Sequence, residues 1–288
     1  MAVVNTNIAA SVAQAALARN ERALGTAMEQ LSTGKKINSA GDNAAGLAIS
    51  SRMTSQIRGL DAAIRNANDA ISMVDTAEGA LDEITAMLQR MRELAVQAGT
   101  GTTASADRTY LNSEFAALRT EIDRIVDNTQ WNGRNIMDGS AGAATTTSTV
   151  AFQIGQDGVK TQTLSTSFGN FNNTTGKLSG LASKVITGTT IASAVNMASK
   201  SITEIDVVIG DVSSQRATFG AVSNRLTHAV DNLTNVKTNS EAARSRILDT
   251  DYAAATSELS RTQIIQQAAT AMLAQANALP QTVLALLQ

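Results

Sequence analysis

Hydrophobic side chains recur at alternating steps of three and four residues along two long stretches of this chain, and this step is typical of helices that pack along a coiled-coil seam. The first stretch predicts a helix from about residue 44 to residue 98. The second predicts a partner helix within residues 191–252. The seam positions are Met53, Ile57, Leu60, Ile64, Ala67, Ile71, Val74, Leu81, Ile84, Leu88 and Met91 in the first stretch, and Ile202, Ile205, Ile209, Val212, Phe219, Val222, Leu226, Leu233 and Val236 in the second.

Glycines interrupt the first helical pattern at Gly99 and Gly101. A shorter apolar stripe then predicts a helix over residues 105–128 that folds back antiparallel on the first. The dipeptide Asn132-Gly133 that follows is a strong signal for a tight hairpin turn. Helical structure should therefore end before residue 132.

The middle of the chain, residues 141–190, is rich in Thr, Ser, Gly and Asn. Val150, Phe152 and Ile154 alternate with other residues before a turn over residues 155–158, which predicts a strand and a hairpin. The fold class is therefore mainly α: a long antiparallel coiled-coil rod with a small β-hairpin region.

Both ends of the chain lack charge, since no charged residue precedes Arg19 and none follows Arg261. Apolar stripes run through each end, which predicts two amphipathic helices paired with each other. Their other faces need further copies of the chain to cover them, or else the ends stay disordered until a partner arrives. The residues predicted to pack between subunits are Val12, Leu17, Leu24, Leu31, Ile264, Met272, Val283 and Leu286.

These patterns predict three regions. Residues 1–40 and 253–288 form a domain of paired terminal helices. Residues 41–140 and 191–252 form the helical rod, and residues 141–190 form a short hairpin and loop region.

Charge and composition exclude several functions. The net charge of −2 gives no attraction for nucleic acid or for anionic membranes. The absence of Cys and the single His, His228, leave no thiolate site and no His-based zinc site. We expect no enzymatic activity, no metal and no cofactor. The start of the chain also lacks the basic and apolar regions of a secretory signal peptide, and no segment is apolar enough to span a bilayer.

Four segments carry a resemblance to a known family: VVNTNIAASVAQAAL, LSTGKKINSAGDNAAGLAIS, RNANDAISMVDTAEGALDEITAMLQRMRELAVQA and SRILDTDYAAATSELSRTQIIQQAATAMLAQANALPQTVLALLQ. They are similar to bacterial flagellin in a short form. The resemblance implies that the paired termini, residues 1–40 and 253–288, are the inner-core domain, and that residues 141–190 carry no large outer domain. The resemblance implies a structural subunit of the extracellular flagellar filament. It also implies a chain exported unfolded through a type III apparatus and polymerised with many copies of itself for swimming.

The resemblance further implies partners and surfaces. Expected partners are an export chaperone, the filament cap, the hook–filament junction proteins and a Toll-like receptor. The receptor surface would comprise Gln89, Arg90, Glu93, Leu94 and Glu114, although a solvated charged face explains these residues equally well. A chaperone or sensor would grip Leu284, Leu286 and Leu287, whose simpler role is packing between subunits. Sites for O-linked glycans would be Thr145, Thr146, Thr147 and Ser148.

Three other functions remain open at this point. A hook–filament junction protein would share the terminal helices. A membrane-active amphipathic protein would also carry uncharged Ala- and Leu-rich helices, although such proteins usually add a basic face. An enzyme built on carboxylates alone would leave no sequence motif.

Overall fold

The computed structural model describes residues 7–142, 148–156, 162–172, 176–188 and 190–286, with side chains described as far as residue 278. It contains five long helices: α1 (Ile8–Thr33), α2 (Ala40–Ala98), α3 (Ser105–Asn128), α4 (Ile191–Leu248) and α5 (Tyr252–Leu286). Among the described residues between α3 and α4 lie four short strands and a 3-10 turn: β1 (Gln130–Trp131), β2 (Arg134–Asn135), β3 (Thr149–Gln153), β4 (Thr163–Ser167) and the 3-10 turn Ser179–Leu181. The prediction of a mainly α protein with a small β region is confirmed.

The chain divides into two compact units. Unit 1 comprises residues 1–57 and 238–288, and unit 2 comprises residues 58–237. The domain borders expected near residues 41 and 253 stay a prediction.

Ion pairs fix the register of α2 and α4 within unit 2. Arg92 pairs with Asp206 at 2.7 Å, Asp82 with Arg216 at 2.9 Å, and Asp61 with Lys237 at 2.7 Å. As the residue number on α2 falls from Arg92 to Asp61, the number of the partner on α4 rises by the same amount. The two helices therefore run antiparallel in one register. Because these pairs are largely exposed, each stabilises the fold only weakly, and the apolar seam between them contributes more.

That seam follows the predicted positions closely. Leu81, Ile84, Leu88 and Met91 of α2 are fully buried, and they form one core with Ile205, Val212, Phe219 and Leu226 of α4. The helix α3 adds Phe115, Ile122 and Val126 to the same core. Val236, which the pattern placed on the seam, is instead exposed.

Buried Arg108 closes the turn between α2 and α3. Its Nε donates to the main-chain oxygen of Ala98 at 3.1 Å, and its Nη2 donates to that of Thr100 at 2.8 Å. Ala98 is the last residue of α2, so its carbonyl has no partner within the helix. A cation also suits the negative end of a helix dipole.

The first predicted hairpin forms, and the strands of the second pair, while residues 157 and 158 of its predicted turn lie outside the described residues. Asn132 and Gly133 have φ angles of 50° and 74° and connect β1 to β2, as a two-residue turn of type I′ requires. β3 and β4 pair antiparallel with Val150 opposite Thr166 and Phe152 opposite Leu164. Phe168, just after β4, contacts Phe219 of α4 with ring centroids 5.1 Å apart, which attaches the hairpin region to the core.

The start of α2 is capped by side chains. Asn43 breaks the helix with φ −164° and ψ 96°, and its Oδ1 accepts from Gly46 N at 2.8 Å. Asp42 Oδ2 accepts from the main-chain N–H groups of Asn38 and Ser39 at 3.0 and 2.9 Å. The continuous helix therefore begins after Asn43, close to the predicted start at residue 44.

Candidate subunit interface

The two ends of the chain form one antiparallel helix pair, α1 with α5, which we call the terminal helix pair. Two main-chain hydrogen bonds join the segment that follows α1 to the segment that precedes α5. Lys36 N donates to Leu248 O at 2.7 Å, and Thr250 N donates to Gly34 O at 3.0 Å. Gly34 adopts the left-handed conformation, φ 70°, that commonly ends a helix. The prediction that the N- and C-terminal helices pair is confirmed.

The inner face of the pair consists of small and medium side chains. On α1 they recur at steps of three and four, and on α5 they do the same, which is the spacing of a coiled-coil seam. The half-buried or buried residues are Ala10, Ala13, Leu17, Asn20, Leu24, Ala27 and Leu31 on α1, and Ala255, Leu259, Thr262, Gln266, Ala269, Leu273 and Ala276 on α5.

Two asparagine side chains bridge this inner face. Asn20 Nδ2 donates to the main-chain oxygen of Thr262 at 2.8 Å, and Asn7 Nδ2 donates to that of Ala276 at 2.8 Å. The two donors, Asn7 at the N-cap of α1 and Asn20 within it, are thirteen residues apart, and their acceptors on α5 are fourteen residues apart. The two helices therefore keep one register over this length. Sequence patterns did not identify these bridges, because an Asn side chain gives no apolar signal and Asn20 stands between the charged residues Arg19 and Glu21.

Large apolar side chains point away from the pair. Ile8 and Val12 of α1 and Ile264 and Met272 of α5 are 61–66% exposed. Ile265 and Met28 are exposed as well. We call Ile8, Val12, Ile264, Ile265 and Met272 the outer apolar residues. A concentration of exposed large apolar side chains on one helix pair is typical of a protein interface.

The expected packing residues fall into three groups. Leu17, Leu24 and Leu31 are half-buried on the inner face of the terminal helix pair, whereas Val12, Ile264 and Met272 are exposed. The backbone of Val283 and Leu286 lies in α5, and their side chains fall outside the described residues. The large apolar residues of α1 therefore divide between a face within the chain and a face open to solvent.

The expected receptor residues form a charged network on α2 and α3. Arg90 pairs with Glu93 at 3.0 Å and with Glu114 at 2.9 Å. The carboxylates of Glu114 and Glu93, in that order, raise the pKa of Arg90 above its ordinary value. Gln89 is exposed beside them, but Leu94 is buried in the core and does not reach this surface.

The remaining expected sites lie mostly at positions that the structure leaves undescribed. Leu287, Thr145, Thr146 and Thr147 lie outside the described residues, and so do the side chains of Leu284 and Leu286. Ser148 is described, and its hydroxyl lies 3.1 Å from that of Ser167.

No helix in the described part of the chain combines the length and apolarity needed to cross a bilayer. No group of three or more His, Cys, Asp or Glu side chains in that part is placed to hold a metal ion. His228 is exposed on α4.

Comparison with known proteins gives matches at both ends and over the whole chain. The bacterial flagellin N-terminal helical region matches residues 4–142, and the bacterial flagellin C-terminal helical region matches residues 202–287. Flagellin of Halalkalibacterium halodurans is 44% identical over 99% of this chain and 100% of its own. Flagellin of Bacillus subtilis is 42% identical over 99% of each chain.

A solved structure shares the fold. A putative flagellar hook-associated protein from Vibrio parahaemolyticus aligns with a TM-score of 0.59 at 14% identity, covering 72% of this chain and 100% of that one. At this identity the likeness concerns the fold alone. The whole-length matches at 42–44% carry the assignment: the chain belongs to the bacterial flagellins, the non-enzymatic structural subunits that polymerise into the extracellular flagellar filament used for motility.

Proposed function

We propose that this flagellin polymerises through the outer apolar residues of its terminal helix pair. Leu17, Leu24 and Leu31 act earlier, by holding α1 against α5 so that the outer residues are presented together. The observation that carries the proposal is the exposure of Ile8, Val12, Ile264 and Met272 within one helix pair.

Physical chemistry indicates that the outer apolar residues are covered by further copies of the same chain. α5 has no charged side chain after Arg261, so nothing on its later turns favours solvent strongly. Burial of apolar area contributes about 25 cal/mol per Å². A contact repeated in every subunit of a polymer stabilises the assembled form by mass action, as any ligand of the folded state does.

The experiment replaces one outer residue by Asp and measures polymerisation. Purified Val12→Asp and Met272→Asp subunits should fail to form filaments in sedimentation and electron microscopy, because a carboxylate would be buried without a partner. Val207→Asp on α4 is the matched control, since Val207 is 59% exposed but lies outside the terminal helix pair. Normal filaments from both test variants would contradict the proposal.

We also propose that the regions expected from the sequence act as separate parts of the subunit. Residues 1–40 with 253–288 would serve assembly, residues 41–140 with 191–252 would form the helical rod, and residues 141–190 a short hairpin region. Limited proteolysis of the free subunit should then remove both ends and leave a fragment near residues 41–252. Equal cleavage along the whole chain would count against this division.

Export and partner binding are part of the same proposal. The chain would be exported unfolded, which the absence of Cys and the single Pro280 support, because neither disulfides nor several prolyl bonds would then slow folding outside the cell. An export chaperone would bind Leu284, Leu286 and Leu287, and the cap and hook–filament junction proteins would contact the assembled ends. Deletion of residues 281–288 should abolish chaperone binding, and retained binding would place that site elsewhere.

A second proposed activity is recognition by a Toll-like receptor through Gln89, Arg90, Glu93 and Glu114. The supporting observation is the exposed network in which Arg90 contacts both Glu93 and Glu114. Arg90→Glu should weaken receptor signalling by the free subunit. Arg124→Glu, which alters another exposed arginine pair on α3, is the control. Equal loss with both variants would indicate a general charge effect.

A further inference from the structure

The methionine side chains of this flagellin differ widely in exposure. Met73, Met91 and Met137 are buried in the core of unit 2, whereas Met272 on α5 is 65% exposed. Met28 on α1 and Met197 on α4 are also exposed, the latter at 40%. Because exposure governs how readily an oxidant reaches a thioether sulfur, the exposed methionines should react first.

Met272 differs from Met197 in its surroundings. Ile265, Ala268 and Met272 follow one another at steps of three and four residues, so they share one face of α5. Asn7 and Asn20 contact Ala276 and Thr262, which places Met272 at the level of Val12 on the neighbouring helix. Met272 is therefore part of the outer apolar residues, and its oxidation would change the proposed interface directly.

We propose that Met272 is an oxidation site at which peroxides block polymerisation of the free subunit. The inference rests on the proposed use of the outer apolar residues in assembly. In the reaction, the sulfur lone pair attacks one oxygen of hydrogen peroxide, and an S–O bond forms as the O–O bond breaks. The departing hydroxide takes the proton of the hydroxyl now bound to sulfur and leaves as water, so the thioether is oxidised to a sulfoxide and the peroxide is reduced.

The product opposes burial of this side chain. A thioether is apolar and polarisable, but a sulfoxide carries a strong hydrogen-bond acceptor. Ile265 and Ala268, which share the face of Met272 on α5, offer no side-chain hydrogen-bond donor. A sulfoxide buried against apolar side chains of a neighbouring copy therefore raises the concentration needed for polymerisation by about tenfold or more.

Oxidation of this kind acts on subunits before they assemble. In the free subunit Met272 is open to solvent, while in a filament built on the proposed interface it is covered by a neighbouring copy. Reduction of the sulfoxide by methionine sulfoxide reductases restores the thioether, so the block is reversible.

The experiment compares polymerisation of the full-length subunit before and after treatment with hydrogen peroxide. Peptide mass spectrometry measures oxidation at each methionine, and sedimentation measures the critical concentration. The treated wild type should show sulfoxide at Met272 and a critical concentration raised about tenfold. Treatment with a sulfoxide reductase should return it to the untreated value.

Three matched leucine variants identify the residue, because Leu for Met conserves volume and apolarity. The critical concentration of Met272→Leu, compared with its own untreated value, should not change after peroxide. Met197→Leu and Met28→Leu should polymerise normally and stay sensitive. Persistent sensitivity of Met272→Leu, or protection by Met28→Leu alone, would overturn the assignment of the site.

The same measurements separate this inference from the interface proposal. If untreated Met272→Asp polymerises normally, the proposed interface fails at this residue. If Met272→Asp is blocked but the wild type oxidised at Met272 polymerises normally, the interface stands and the oxidation inference fails. We also expect Met272 to be oxidised less in filaments than in free subunits. Equal oxidation in both would show that a neighbouring copy does not cover this residue.

Discussion

Asn20 of α1 donates its side-chain amide to the main-chain oxygen of Thr262 on α5 at 2.8 Å, across 242 positions of the chain. Both residues are buried: Asn20 is 8% exposed and Thr262 is 1% exposed. The hydroxyl of Thr262 donates in turn to the carbonyls of Glu258 and Leu259, each at 2.9 Å. The seam of the terminal helix pair therefore carries a satisfied polar layer between leucines, and such a layer restricts the registers that a helix pair can adopt.

Removal of this amide should weaken the terminal helix pair. Asn20→Ala loses one buried hydrogen bond and leaves a small cavity, which should cost about 1–3 kcal/mol of unfolding free energy for the pair. Asn20→Asp should cost more, since an acceptor would then face the carbonyl oxygen of Thr262. Hydrogen exchange of the α1 amides measures the effect. Exposed Asn277→Ala is the matched control, and an equal effect there would mean that the bridge contributes nothing.

Arg108 should be among the most sensitive positions in unit 2. Its guanidinium is buried at 2% exposure and serves the carbonyls of Ala98 and Thr100. Arg108→Met fills similar space but leaves both carbonyls without these donors, which should lower the unfolding free energy by about 2–4 kcal/mol. Urea denaturation followed by circular dichroism measures the change. Arg124→Met, at an exposed pair with Glu121, should change stability by less than about 1 kcal/mol.

The sequence predicts the helical rod well because its apolar residues are large and its other faces are charged. For α3 the expected bounds of residues 105–128 coincide with Ser105–Asn128. The Asn132-Gly133 turn follows equally from the sequence, since few dipeptides accept two positive φ angles. Where large apolar and charged residues alternate clearly at helical spacing, the sequence pattern predicts which side chains pack in the core.

In the terminal helices the sequence does not distinguish apolar from polar faces in this way. Alanines occupy many positions all round α1 and α5, so the pattern did not indicate which of Val12 and Leu17 faces inward. In the structure Leu17 lies on the inner face and Val12 is exposed. Side chains such as Asn20 and Thr262 enter the seam because their polar groups find partners in the other helix, which only the three-dimensional register determines.

The proposed receptor surface illustrates a different limit of prediction from sequence. A motif read as consecutive residues includes Leu94, but adjacent positions of a helix point about 100° apart, as the period of 3.6 residues requires. Arg90 and Glu93 therefore face solvent while Leu94 faces the core. Sequence similarity identifies the segment, and helical geometry decides which of its side chains are accessible.

Asp42 makes the stability of unit 1 depend on pH. The N–H groups of Ser39 and then Asn38 donate to its carboxylate and lower its pKa below the ordinary value of 3.8. The folded state therefore favours the ionised form. This stabilisation is present above pH 3.8 and is lost as the pH falls through the lowered folded-state pKa. Thermal unfolding of the wild type against Asp42→Asn should show a difference at neutral pH that disappears in acid. A difference independent of pH would contradict the capping role.

Two glycines should respond to alanine with opposite signs. Gly133 has φ +74°, a conformation that alanine adopts only with strain, although no atom lies within 4 Å of the added Cβ. Gly133→Ala should therefore destabilise the hairpin by about 1 kcal/mol through backbone conformation alone.

Gly79 also has no atom within 4 Å of an added Cβ, but it is exposed in the middle of α2 with helical backbone. Gly79→Ala should stabilise unit 2 by about 0.5–1 kcal/mol, because alanine loses less backbone entropy on folding. Urea denaturation of both variants against the wild type measures the two signs. Since neither site is crowded, a shift of the same sign at both positions would show that backbone conformation does not decide the outcome.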